Sequence, residues 1–146
     1  MNMAMSQTRS RAGLAQDLRI SIARLSRRLR AQSTSGLSIT QQAALAAVER
    51  HQSMSPRQLA EHEKVQPPSM TRVIAALEEQ GLLVRTPHAT DGRQVVLNVT
   101  DQGRELLKEQ RRRKQAWLSQ RLEELTPEER TILRQAAPIL EKLSRS

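Results

Sequence analysis

Early in the chain the apolar positions Leu14, Leu18, Ile22, Leu25 and Leu29 recur at intervals of four, four, three and four, which sets them on one face of an amphipathic helix. A polar stretch from Gln32 to Gly36 ends the pattern. The next helix is announced by Ser38, Ile39, Thr40 and Gln41. There the Ser38 hydroxyl can accept from a free backbone N–H while Gln41 reaches back, the reciprocal arrangement of a capping box. An alanine-rich run carries this helix to about Arg50. Ser55, Pro56, Arg57 and Gln58 repeat the device, with proline at the first helical position, where its missing N–H costs nothing. A short helix through Leu59 and Ala60 follows. After a turn at Lys64 to Gln66, Pro67 and Pro68 open another helix whose Met70, Val73, Ile74 and Leu77 obey the i, i+3, i+4, i+7 rule, and Gly81 stops it.

Beyond Gly81 the period changes. Leu82 to Thr86 and Gln94 to Thr100 are rich in β-branched residues, and Val95, Leu97 and Val99 alternate with Val96 and Asn98, which predicts a β-hairpin. Its connection, Pro87 to Arg93, is polar and long, so it projects into solvent, with Gly92 permitting a tight turn. Thr100 can cap a long helix reaching about Leu125, anchored by Leu106, Leu107, Trp117, Leu118 and Leu122. Thr126, Pro127, Glu128 and Glu129 start the last helix, whose apolar side is Ile132, Leu133, Ala136, Leu140 and Leu143. Pro138 falls inside that pattern and predicts a kink or break. The fold class is therefore mainly α with a small β-hairpin wing.

Composition narrows the partners. The 146 residues carry 24 Lys and Arg against 15 Asp and Glu, a formal charge of +9, which attracts polyanions, nucleic acid first. Phe and Tyr are absent and Trp117 is the only aromatic, so modules that stack exposed bases on rings are disfavoured and duplex is favoured over single strand. The absence of cysteine excludes disulfides, thiolate nucleophiles and zinc knuckles. No run of apolar residues is long enough to suggest a membrane span, and Met1 to Ser10 is polar, so a cytoplasmic protein with a short mobile tail is expected.

Enzyme chemistry finds little footing. Glycines 13, 36, 81, 92 and 103 are never closer than eleven positions, so no glycine-rich phosphate loop exists. His51, His62 and His88 lack metal-ligand spacing with one another, and no nucleophile-elbow pattern occurs. No cofactor and no metal are expected; a metal-sensing variant that joins these histidines to carboxylates is the alternative.

From Leu37 to Thr100 the order helix, helix, helix, hairpin is that of a winged helix-turn-helix, in which one helix braces a second that enters the major groove while a hairpin loop reaches the backbone or minor groove. With Met70, Val73, Ile74 and Leu77 turned inward, Pro68, Arg72 and Ala75 lie opposite and Ser69 and Thr71 on the flanks. Small side chains allow close approach, hydroxyls can bond phosphates or base edges, and Arg72 can grip a guanine or pair with a phosphate. The helix start is expected to add free N–H groups that favour a phosphate. In the hairpin loop Asp91 can hold the guanidinium of Arg93 and present it to a narrow, negative minor groove. A solvated surface helix and an ordinary exposed turn are the bland alternatives.

This combination resembles the MarR family of bacterial transcription regulators over nearly the whole chain. The matching segments are SPRQLAE from Ser55 to Glu61, VQPPSMTRVIAALEEQG from Val65 to Gly81, LLVRT from Leu82 to Thr86, Asp91, Gly92 and Arg93, and VLNVTDQG from Val96 to Gly103. Gln66 and Pro67 depart from the hydroxyl cap often seen at this turn. The resemblance implies a homodimer with intertwined terminal helices, recognition helices in successive major grooves, wing arginines in flanking minor grooves, and a ligand pocket between the dimer helices and the DNA-binding lobe. Carried over by position, Ser69, Thr71 and Arg72 are recognition-helix contacts, Arg93 is the wing contact and Asp91 its organiser; Arg57, Pro68 and Arg85, within the matching segments, complete the candidate set.

The expected organisation is thus a mobile tail over 1–12, a dimerisation helix over 13–36, the winged lobe over 37–99 and C-terminal dimerisation helices over 100–146. The apolar stripes of the terminal helices favour dimerisation independently, since a small lobe can hardly cover them; a monomer whose end helices pack together is the rival. The expected function is a dimeric, sequence-specific duplex DNA-binding regulator, a repressor released by a small aromatic or amphipathic anion. Its alternative is a constitutive or architectural DNA-binding protein without effector; a basic amphipathic protein on anionic membranes is a third reading. The cations Arg111 to Lys114 point around the whole helix circumference, and are expected to be solvated or paired with acids of the partner chain. The basic group Arg9, Arg11, Arg19, Arg24, Arg27, Arg28 and Arg30 could contribute phosphate contacts or line an anion pocket.

Overall fold

The computed structural model describes residues 3–33 and 35–146, with 3–9 described by their backbone alone. Eight elements follow in chain order: α1 (Met3–Ala31), α2 (Ile39–His51), α3 (Pro56–Glu63), α4 (Pro67–Glu79), β1 (Leu83–Pro87), β2 (Val95–Val99), α5 (Asp101–Glu123) and α6 (Pro127–Ser144). The three predicted capping boxes form. Ser38, Ser55 and Thr126 each accept from the backbone N–H three residues on at 3.1 Å, and Gln41, Gln58 and Glu129 each return the bond. At the end of α4, Gly81 adopts φ +75°. The N–H groups of Gly81 and Leu82 then fold back to the carbonyls of Glu78 and Leu77, each at 2.9 Å, which satisfies carbonyls the helix end would leave open.

Two expectations are corrected. Helix α1 begins at Met3, well before the helix start expected at 13; residues 3–12 carry no apolar stripe by which a pattern could announce them. Helix α6 runs unbroken across Pro138. Proline removes one bond to the carbonyl four residues back, here that of Arg134, and both residues are exposed, so that carbonyl lies on a face open to solvent.

The chain divides into two compact units, Thr34–Arg111 and a second made of residues 1–33 and 112–146, with the boundary inside α5. In the first unit, α2, α3, α4 and the hairpin enclose a core in which Leu45, Leu59, Ile74, Leu77 and Leu97 are wholly buried, each contributing about 1.5–3 kcal/mol by leaving water. Strands β1 and β2 pair antiparallel with Leu83 opposite Val99 and Pro87 opposite Val95. The segment between α2 and α3 adds an isolated bridge, in which Leu97 N–H donates to the Met54 carbonyl at 2.7 Å. Thr100 joins hairpin to helix, its hydroxyl donating to Gly81 O at 2.6 Å and accepting from Gly103 N–H at 3.1 Å. Gly103 is tightly enclosed: a Cβ there would stand 2.5 Å from Leu82 O and 2.6 Å from Val99 Cγ1.

In the second unit Trp117 is half-buried, with the Arg28 guanidinium 5.0 Å and that of Arg121 5.7 Å from its ring centre. Helix α6 buries no residue. Ile132, Leu133, Ile139, Leu140 and Leu143 are exposed on α6, as are Leu14, Ile22 and Leu25 on α1.

Candidate nucleic-acid interface

Helices α3 and α4 are joined by a short turn in which Lys64 takes a left-handed conformation (φ 53°) and Val65 N–H returns to the Ala60 carbonyl at 3.0 Å. Met70, Ile74 and Leu77 anchor α4 in the core, with Val73 half-buried. That anchoring leaves Pro68, Ser69, Thr71, Arg72 and Ala75 exposed together, the face expected from helical spacing. The start of α4 is less rich in donors than expected. Pro67 and Pro68 occupy the first two helical positions and have no N–H, and Met70 N–H is already bonded to Gln66 O at 2.9 Å. Among the first three helical positions, only Ser69 carries a backbone amide. Gln66 makes no side-chain cap, consistent with its departure from a hydroxyl residue at that turn. The Thr71 hydroxyl donates to Pro67 O at 2.9 Å, so it meets a partner as an acceptor.

The candidate arginines separate into two kinds. Arg57, on α3, pairs with Glu61 at 3.5 Å, and Arg85, on β1, donates through Nε to Glu78 of α4 at 2.9 Å. Arg85 thereby ties the hairpin to α4. Arg72 and Arg93 have no ion pair among the described residues, and both are exposed.

In the hairpin loop the expected Asp91 contact takes another form: Asp91 Oδ1 accepts from the backbone N–H of Arg93 at 3.1 Å, orienting the chain at Arg93 and leaving the guanidinium free of it. Gly92 is not in the left-handed region, and nothing lies within 4 Å of the place where a Cβ would stand, so the turn does not depend on a glycine there.

Sequence reasoning missed His88. Its Nδ1 accepts from the backbone N–H groups of Thr90 and Asp91, both at 3.2 Å. The signal available was a ring with an acceptor nitrogen placed two and three residues before those amides, the offset at which Asn and Asp form turns. Of the basic run on α5, Arg111 binds Glu49 of α2 at 2.7 Å, and this hydrogen bond holds its guanidinium above the usual arginine range. It is therefore engaged within its own chain and not reserved for a partner chain's acids.

Among the described residues no three metal-ligating side chains converge, and no helix is long and apolar enough to cross a membrane. A bracing helix, a second helix with an open basic face, and a hairpin that projects a further arginine define a winged helix-turn-helix DNA-binding protein.

Comparison with known proteins narrows that class. The MarR family model matches residues 37–95. An HTH-type transcriptional regulator of Mycobacterium tuberculosis is 47% identical over 132 residues, covering 90% of this chain and 92% of that one. The HTH-type transcriptional repressor MdtR of Bacillus subtilis is 32% identical over 111 residues, 76% of this chain and 70% of its own. The crystal structure of a transcriptional regulator protein from Pseudomonas aeruginosa superposes with a TM-score of 0.83 at 29% identity, covering 94% of this chain and 97% of that one. The chain belongs to the MarR family. It is a DNA-binding transcription regulator and not an enzyme.

Proposed function

We propose that the protein is a cytoplasmic homodimeric repressor that binds a near-palindromic duplex, with α4 of each protomer in successive major grooves and the hairpin loops in the flanking minor grooves. The observation that carries this reading is the exposed face of α4, where Ser69, Thr71 and the unpaired Arg72 stand clear of a helix locked in place by Met70, Ile74 and Leu77. The apolar stripes left exposed on α1 and α6 support a second copy of the chain as their cover, because burying leucine and isoleucine drives association. Repression is favoured by the relative named as a repressor. Release follows if a small aromatic or amphipathic anion binds better to a dimer whose recognition helices are wrongly spaced for successive grooves. By linkage the ligand then weakens DNA binding by the same factor.

The test is selection of bound sequences from a random duplex library. The expected product is a pair of inverted half-sites with centres about 34–36 Å apart; recovery of a single, non-repeated site would refute the dimeric arrangement. Titrating a panel of small aromatic anions into the complex with the selected duplex then tests release. Uniform indifference to the panel would favour a constitutive DNA-binding protein instead.

A further inference from the structure

The reading of the wing depends on Arg93, yet no residue of the connection that carries it, His88 to Gln94, is buried. What fixes this loop is hydrogen bonding. His88 N–H donates to Gln94 O at 2.8 Å and Gln94 N–H donates to Asp91 O at 3.0 Å, closing the loop across its base. The His88 ring sits at its start, with Nδ1 accepting from Thr90 N–H and Asp91 N–H at 3.2 Å and with the Thr90 hydroxyl at 3.1 Å. Asp91 Oδ1 in turn accepts from Arg93 N–H at 3.1 Å. Backbone amides only donate, so Nδ1 is the lone-pair nitrogen and the ring proton belongs on Nε2.

We infer that His88, in its neutral Nε2–H form, is the positioning residue of the wing. It fixes Thr90 and Asp91, and Asp91 then fixes the backbone from which Arg93 extends. The inference rests on Arg93 being the wing contact, and His88 acts through Arg93 without touching DNA. A protonated Nδ1 is itself a donor and faces two N–H groups, so the arrangement is lost. The charged groups nearby are Asp91 and Arg93 in the loop and Arg85 on β1; α4, packed on β1, adds Glu78, which Arg85 binds, and β2 carries no charged side chain.

The experiment compares the full-length protein with His88→Ala, His88→Asn and Arg93→Ala. It measures backbone amide exchange in the loop by NMR and binding to duplexes recovered from the random library. His88→Ala is expected to speed exchange at Thr90 and Asp91 and to weaken binding about tenfold, because the two amide bonds that hold the loop are lost. Asn Oδ1 stands as many bonds from Cα as His Nδ1, so His88→Asn restores both properties. Unchanged amide exchange in His88→Ala, or failure of Asn to rescue, would each overturn the inference. Unchanged affinity in Arg93→Ala would overturn the reading of the wing instead, while the amide data still decide what His88 does.

Discussion

Arg57, Arg72, Arg85 and Arg93 carry the positive charge of the candidate interface, but Glu61 and Glu78 engage the first and third. An arginine held by a surface acid must give up that partner before it meets a phosphate, whereas Arg72, with no ion pair among the described residues, has none to give up. Replacing Arg72 with alanine is expected to cost about 1–3 kcal/mol of binding to the selected duplex and to relax preference at one base pair. Titrations against single-base variants of the duplex check this; an equal loss on every variant would assign Arg72 to a phosphate. Arg85→Ala is expected to act through the hairpin, with a double-mutant cycle against Glu78→Ala giving a coupling of only about 0.2–1 kcal/mol, as for an exposed ion pair. The exposed row Pro68, Ser69, Thr71 and Arg72 was legible because buried positions fix a helix's rotation. The pairing of Arg85 with Glu78 was not, since it crosses the turn at Gly81 and depends on how the hairpin lies on α4.

Among the elements, the capped helices and the hairpin could be read from local chemistry: a hydroxyl, a residue three on that returns the bond, and a change from helical to alternating period. Contacts made between elements left no such trace. The Met54 to Leu97 bridge is a single residue pair without a pattern. Gly103 looks like any glycine near a helix start until Leu82 O and Val99 Cγ1 are seen to close over it. Gly103→Ala is accordingly expected to push the start of α5 off the hairpin and to destabilise the protein by about 1–3 kcal/mol, measured by urea unfolding. Gly92→Ala, in open space at the hairpin tip, should change stability by no more than about 0.5 kcal/mol.

For the molecule as a whole, a charge of +9 per chain and exposed apolar stripes on α1 and α6 carry two expectations. Sedimentation equilibrium should give twice the chain mass, and Leu140→Glu, which sets a carboxylate in the α6 stripe, should shift the protein toward monomer and weaken binding to the two-half-site duplex. A variant still fully dimeric would remove α6 from the dimer interface. Binding should also weaken steeply with salt, the logarithm of the association constant falling by about 0.9 per phosphate neutralised for each decade of salt. Arg72→Ala should flatten that slope by roughly one phosphate's worth only if Arg72 serves a phosphate. Because Trp117 is the sole tryptophan in a chain without tyrosine and lies close to two guanidinium groups of the terminal-helix unit, the protein carries its own optical label. Indole emission reports on that unit alone, so its melting curve, laid over the circular dichroism of all the helices, will reveal whether the two units come apart together or in turn.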